Sequence, residues 1–131
     1  PKLPVTLETL SGATIQEFPL STLNLGITDL PISGGGYFRL YPYWFTRYGL
    51  RKINERDQRP FVFYCHPWEF DPEQPRIKAS AFNSWRHYQN IGKSRARLGQ
   101  LLRDFKLGTV AEVLRQSELS RVRVSDFAQA A

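Results

Sequence analysis

A short apolar run between two prolines constrains the fold of this chain more than any other feature. Pro60 precedes Phe61–Cys65, and Pro67 follows one residue after it. An unbroken apolar run of this length is typical of a strand that is buried on both faces, as in a parallel sheet covered by helices. Periodicity alone would also allow a buried helix, but the shortness of the run, its aromatic residues and the flanking prolines favour a strand.

The residues before this run predict one further strand and one helix. The strand covers residues 14–18 and is stopped by Pro19, which has no N–H to donate to a neighbouring strand. A glycine loop at residues 33–36 leads into a helix with Pro42 in its first turn. Its predicted core face is spaced at i, i+3, i+4 and i+7 and consists of Tyr41, Trp44, Phe45 and Tyr48. We expect Arg47, Arg51 and Lys52 to face away from that core.

The residues after the run predict two further helices. Ser94 is the predicted N-cap of the first, whose core residues would be Leu98, Leu101, Leu102 and Phe105. Gly108 ends it, and a capping box of Thr109 and Glu112 starts a short terminal helix at about 109–116. Residues 76–92 show no clear pattern, and we expect the tail at 117–131 to be frayed.

This order of elements predicts an α/β protein in which parallel strands alternate with helices. Two strands alone would leave open sheet edges and uncovered apolar faces. We therefore interpret residues 1–131 as a single C-terminal segment of a larger sheet or barrel, with its last strand and helix units at about 14–107.

The composition is that of an ordinary globular chain, with 41% hydrophobic and 23% charged residues among 131, enough for one domain with its own core. No apolar stretch approaches the ~20 residues that span a bilayer, so we expect no membrane span. The chain contains no methionine, and we expect it to be a fragment or trimmed product whose upstream part belongs to the same protein. We expect a cytoplasmic bacterial location.

The net charge of +6 allows two interpretations: a solvated basic surface, or attraction to a polyanion such as nucleic acid or an acidic glycan. The basic clusters at residues 93–97 and 121–123 lack interleaved aromatic residues, so we expect no nucleic-acid partner. Cys65 is the single cysteine, which excludes an internal disulfide and a multi-cysteine zinc site.

His66 is the strongest candidate for chemistry because it directly follows the predicted buried strand. In α/β folds, catalytic groups project from the carboxyl ends of strands. An imidazole there suits general acid or base catalysis, although a structural histidine bonded to a neighbouring loop would occupy the same position. Cys65 does not pair with it as a nucleophile, since successive strand side chains point to opposite faces. His66 and His87 lack the spacing of a metal site.

The neighbouring candidates each have two interpretations. Trp68 is either a rim aromatic or a platform on which a sugar stacks, and Glu69 is either a solvated acid or a partner that orients His66. Arg39 follows the glycine loop and either binds an acidic group or is solvated. Glu17 stands at a strand end or is partly buried and paired. Residues 34–36 lack the further residues of a phosphate-binding loop, so we interpret them as a flexible helix entry.

Four stretches of the chain resemble one branch of the bacterial polysaccharide deacetylases: Ser33–Leu40, Phe61–Glu69, Asp71–Arg76 and Arg86–Tyr88. This branch occurs with exopolysaccharide and protein-sorting loci, and its C-terminal extension has been catalogued as a domain of unknown function. The resemblance extends from about Glu17 to Leu114.

The resemblance implies the C-terminal portion of a distorted (β/α) barrel and metal-dependent hydrolysis of N-acetyl groups from a polysaccharide. In such enzymes a divalent metal, usually zinc, polarises the acetyl carbonyl and activates a water. A histidine late in the fold, matched here by His66, protonates the leaving amine. Glu17 matches a segment near the cleft, and we assign it to substrate binding together with Tyr37, Arg39, Trp68 and Glu69. The family's metal ligands belong upstream, so we expect this chain alone to bind no metal and hydrolyse nothing.

Two rival hypotheses remain at this point. The segment could be an accessory glycan-binding or interaction module that folds alone and performs no hydrolysis. It could also bind nucleic acid, an interpretation that depends on charge alone. The sequence does not assign a role to Arg86–Tyr88.

Overall fold

The computed structural model describes residues 3–117 and 119–125. It has the mixed α/β composition that the sequence predicts, with two small sheets among the described residues. In chain order the elements are β1 (Val5–Glu8), β2 (Thr14–Glu17), β3 (Thr22–Asn24), β4 (Asp29–Pro31), α1 (Gly35–Leu40), α2 (Tyr43–Arg51), a π-helical turn (Lys52–Arg56), a 3-10 helix (Pro67–Phe70), α3 (Ala81–Tyr88), α4 (Ile91–Asp104), α5 (Val110–Gln116) and β5 (Ser120–Arg123).

These elements form two compact units. One consists of Pro1–Leu20 together with Gly108–Ala131, and the other of Ser21–Leu107. The prediction that the whole chain is one segment of a larger domain stays a prediction.

The first unit contains a three-stranded sheet with β1 at its centre. β1 pairs antiparallel with β2 and parallel with β5. Gly12 lies in the turn between β1 and β2 with φ +82°, a conformation that glycine adopts without steric cost. The strand predicted at residues 14–18 is confirmed for Thr14–Glu17. It ends there because Pro19 follows closely and cannot donate to the pairing.

The C-terminal part of this unit confirms one prediction and corrects another. Helix α5 starts at the predicted capping box, in which the Thr109 hydroxyl accepts from the Glu112 N–H at 3.2 Å and the Glu112 carboxylate accepts from the Thr109 N–H at 2.9 Å. The predicted frayed tail is wrong for Ser120–Arg123, which is a strand because it pairs with β1. Residues 118 and 126–131 of that tail lie outside the described residues.

The second unit has its own apolar core. Its strands β3 and β4 form an antiparallel hairpin with Gly26 at φ +90° in the turn. Helices α1, α2 and α4 and the end of the hairpin all contribute buried side chains to the core, which consists of Leu23, Ile32, Phe38, Leu50, Ile53, Leu101 and Phe105.

Helix α2 buries a different face from the one predicted. Trp44 is 70% exposed and Tyr48 is 55% exposed, so they are not core residues, although Tyr41 and Phe45 pack against the core. The buried residues of α2 are Thr46, Gly49 and Leu50, followed by Ile53 at the same i, i+3, i+4, i+7 spacing. Gly49 brings this face close to the hairpin, because a Cβ there would lie 3.0 Å from Ile32 Cγ1.

The run Phe61–Cys65 is extended but is not the buried strand that the sequence predicts. It makes one parallel bridge, between Tyr64 and Gly34, and among the described residues no strand continues the pairing. Phe61 and Phe63 face inward and contact Phe105 and Phe38 edge to face. The segment therefore packs against helices through alternate side chains only. For that reason the residues between them are less buried than the residues of a central strand.

Helix α4 starts earlier than predicted. Its N-cap is Asn90, at φ +55°, and Ser94 is buried inside the helix, where its hydroxyl donates to the Asn90 carbonyl. Leu98 and Leu101 contact the core as predicted, whereas Leu102 is 57% exposed.

The segment without a clear pattern contains α3, capped by the Ser80 side chain. Among the described residues, no helix combines the length and apolarity that crossing a bilayer requires.

Candidate functional site

The segment that carries His66 is anchored to the start of α1 by backbone hydrogen bonds. The Tyr64 N–H donates to the Ser33 carbonyl at 3.1 Å, and the Gly35 N–H donates to the Tyr64 carbonyl at 3.0 Å. The N–H of Val62 donates to the Ser21 hydroxyl. These bonds fix the direction in which the chain leaves the extended segment and reaches His66.

His66 lies where the extended segment turns into the 3-10 helix. Its backbone is extended, with φ −107° and ψ 148°, as expected for a residue that precedes proline. Pro67 then occupies the first helical position, where a missing N–H has no cost. His66 is exposed, and its ring stacks on Trp68 with 4.3 Å between centroids and 5° between planes. Tyr64 contacts the same imidazole edge to face.

Glu69 stabilises this turn through two contacts of its carboxylate. It is 5% exposed, and its Oε2 accepts the His66 backbone N–H at 2.8 Å. Its Oε1 lies 2.9 Å from Nη1 of Arg39, an ion pair whose geometry does not align a hydrogen bond. Gly35 packs directly against this carboxylate, in a space that a Cβ would overlap. The carboxylate therefore links the His66 turn to α1.

The structure places five of the six sequence-predicted site residues in the unit Ser21–Leu107, and four of these five lie together. His66, Trp68 and Glu69 share the turn, and Arg39 joins them through the ion pair with Glu69. Arg39 and Glu69 are buried and paired with each other, while Trp68 is 48% exposed. Their assignment to substrate binding stays a prediction.

Tyr37 and Glu17 do not belong to the group of His66, Trp68, Glu69 and Arg39. Tyr37 is 38% exposed on α1 and stacks on Tyr41 with 5.9 Å between centroids. Glu17 is exposed at the end of β2, in the other compact unit.

A cavity of about 500 Å³ between α1 and α3 is lined by two predicted substrate-binding residues and by Arg86–Tyr88, to which the sequence assigned no role. Tyr37 and Arg39 line one side, and Arg86, His87 and Tyr88 line the other. The volume is within the range of small-molecule sites. Two of these side chains are held by the loop before α3. His87 Nε2 lies 3.1 Å from Gln74 Oε1, and the Tyr88 hydroxyl accepts the Ile77 N–H. The sequence assigned no role to Gln74, although Gln74 lies within the stretch Asp71–Arg76 that resembles the deacetylase branch.

Cys65 is half-buried, and its environment does not favour the thiolate. Burial raises the pKa of its thiol above the ordinary value, and the negative charge of Glu69 raises it further. A nucleophilic cysteine needs a lowered pKa, so this environment supports the exclusion of Cys65 as a nucleophile.

Within the described ranges 3–117 and 119–125, no three His, Cys, Asp or Glu side chains lie together in a group that could hold a metal ion. These residues do not fit the catalytic metal that the resemblance implies.

Residues 1–115 match the model of a family described as a domain of unknown function, DUF3473. No curated protein and no solved structure matches the chain.

Proposed function

The chain belongs to the DUF3473 family of domains of unknown function, and we propose that it is the C-terminal portion of a polysaccharide deacetylase in which His66 is the general acid. The barrel would be completed by an upstream segment of the same protein, and that segment would also carry the divalent metal, which we take to be zinc. We use "full-length protein" for this chain together with that segment.

The observation that carries the proposal is the setting of His66. Its ring is exposed, yet the residue is fixed by the Trp68 stack on its side chain and by the Glu69 carboxylate on its backbone N–H. A general acid has to be held in one orientation and remain accessible to the substrate. The resemblance of the surrounding stretch to the deacetylase segment with the acid histidine supports the same role.

The chemistry assigned to His66 is one proton transfer. Hydrolysis of an N-acetyl group adds water to the amide carbonyl and yields acetate and a free amine. The amine is a poor leaving group unless its nitrogen is protonated as the C–N bond breaks. The imidazolium of His66 would supply that proton, and Trp68 would limit rotation of the ring. Arg39 and Glu69 are positioning residues in this proposal, because they support the turn without being exposed.

A second candidate function is a glycan-binding module that performs no hydrolysis. It is favoured by one observation: the unit Ser21–Leu107 has an apolar core of its own, as a module that folds alone requires.

The experiment that separates the two functions is acetate release from N-acetylated chito-oligosaccharides by the full-length protein with added zinc. The proposal predicts acetate and free amine in equal amounts, and no release by the 131-residue chain alone. A full-length protein that is folded and metal-loaded but releases no acetate contradicts the deacetylase. Retention of the oligosaccharide by the 131-residue chain would then favour the binding module.

A further inference from the structure

A second concave surface lies on the side of α2 that the core does not use. It is a groove of about 830 Å³ between α2, the π-helical turn and the end of α4. We call it the α2–α4 groove. Two large aromatic side chains are exposed along it, Trp44 at 70% and Tyr48 at 55%. Large exposed apolar surfaces are uncommon unless they bind something, and these two stand one helical turn apart on the same face.

Arginine side chains flank the two aromatic residues. Arg47 and Arg51 lie on α2 beside Trp44 and Tyr48, with 41% and 44% of their side chains exposed. The lining contains five cationic side chains and two carboxylates, so the groove carries excess positive charge. A concave surface of one dominant sign attracts ligands of the opposite charge.

The two carboxylates of the groove favour a ligand that is rich in hydroxyl groups. Glu55 is exposed in the groove, and its Oε1 lies 3.9 Å from Arg51 Nε. Asp104 lies 3.0 Å from Arg47 Nε and accepts the Tyr43 hydroxyl at 2.6 Å. Both acids repel any polyanion, so a ligand of this groove has to offset that repulsion with hydrogen bonds donated to them. A polyhydroxyl chain would use them as hydrogen-bond acceptors, since a carboxylate accepts and does not donate.

We propose that the α2–α4 groove binds an acidic polysaccharide, with sugar rings stacked on Trp44 and Tyr48 and sugar carboxylates paired with Arg47 and Arg51. Arginine binds carboxylates through two parallel N–H bonds, which a neutral sugar cannot use. The choice of a glycan as the ligand class rests on the proposed function. The groove would hold the chain outside the reacting centre, so it would affect affinity and leave the proton transfer at His66 unchanged.

The probe for this proposal is a hexagalacturonate, an acidic sugar of defined length. Binding to the 131-residue chain is measured by calorimetry, so the result does not depend on deacetylase activity. We expect Trp44→Ala and Arg51→Ala each to weaken binding by about tenfold or more, as for a principal contact. Trp85→Ala and Arg95→Ala are matched controls, since both residues are exposed outside the groove, and they should bind like the unmodified protein.

Two comparison ligands test the ligand class. Fully N-acetylated chitohexaose, a neutral sugar of the same length, should bind at least about tenfold more weakly, because it has no carboxylates for the arginines. A single-stranded oligonucleotide should bind the unmodified protein no more tightly than it binds the Trp44→Ala variant. The proposal is overturned if hexagalacturonate does not bind, if the groove variants bind it normally, or if chitohexaose binds equally well. Tight oligonucleotide binding that is lost in Trp44→Ala and falls steeply with salt would assign the groove to nucleic acid instead.

Discussion

Arg39 and Glu69 form a buried ion pair, with 2.9 Å between Nη1 and Oε1 and only 5% and 7% of the two side chains exposed. Removing one partner of such a pair leaves an uncompensated charge in the interior. The pair also ties α1 to the turn that carries His66, through the hydrogen bond from the His66 N–H to Glu69.

Breaking this pair should destabilise the protein strongly. We expect Arg39→Ala or Glu69→Ala to lower the free energy of unfolding by about 3–5 kcal/mol, measured by urea denaturation. The matched control is the exposed pair of Arg51 and Glu55, 3.9 Å apart, for which Glu55→Ala should cost at most about 1 kcal/mol. Equal losses at the two pairs would contradict a structural role for Arg39 and Glu69.

Two adjacent glycines of α1 should respond oppositely to alanine. A Cβ at Gly35 would overlap the Glu69 carboxylate, whereas a Cβ at Gly36 meets nothing within 4 Å. We expect Gly35→Ala to destabilise the protein by at least ~2 kcal/mol through overpacking and displacement of Glu69. Gly36→Ala should be neutral or stabilise by up to about 1 kcal/mol, because alanine restricts the unfolded chain. Thermal melts of the two variants check this, and a tolerated Gly35→Ala would show that α1 does not pack as described.

The capping box of α5 should depend on pH. The pKa of Glu112 lies below its ordinary 4.5 because the Thr109 backbone N–H and hydroxyl both donate to its carboxylate. Since the folded pKa is the lower one, this contribution to stability is complete above pH 4.5 and is lost as the pH falls through the folded pKa. An NMR titration of the Glu112 carboxyl carbon measures the shift, and Thr109→Ala should move the pKa upward. A pKa at or above 4.5 in the unmodified protein would refute the capping contact.

Cys65 should titrate at a higher pH in the folded protein than in the unfolded chain. Burial and the charge of Glu69 both raise the pKa of its thiol, and only the thiolate is alkylated. The pH midpoint of the iodoacetamide reaction should therefore lie above 9.0, the ordinary value, and should fall in urea. A change in accessibility alters the alkylation rate at every pH, whereas a change in the pKa of the thiol moves the pH midpoint. Comparing the two midpoints therefore measures the pKa. A folded midpoint below the unfolded one would reopen a nucleophilic role.

The sequence predicted correctly the features that depend on residues close together in the chain. The start of α5 follows from Thr109 and Glu112 alone, and the end of β2 follows from Pro19. Burial was predicted less well, because it depends on distant partners. Trp44 and Tyr48 have helical spacing, but the hairpin meets the opposite face of α2, the one that contains Gly49. The same reason explains Phe61–Cys65, whose composition suits a buried strand although no neighbouring strand within residues 3–117 and 119–125 continues its pairing.

The candidate site was predictable in part. The position of His66 after an apolar segment and before a proline indicated it without the structure. The stack on Trp68 and the Arg39–Glu69 pair were not predictable, because they depend on the three-dimensional approach of α1 to the 3-10 helix. Helix α1 itself was missed because three consecutive glycines, which otherwise favour a loop, stand at its start.

The measurement that tests the central claim most directly compares two substrates of the full-length His66→Ala variant. We predict that acetate release from N-acetylated chito-oligosaccharide falls by about 10²–10⁴-fold, the usual contribution of a general acid. Hydrolysis of 4-nitrophenyl acetate should stay within about twofold, because nitrophenolate leaves as a stable anion and needs no proton. An equal loss on both substrates, or no loss on the amide, in a variant that melts like the unmodified protein would contradict His66 as the general acid.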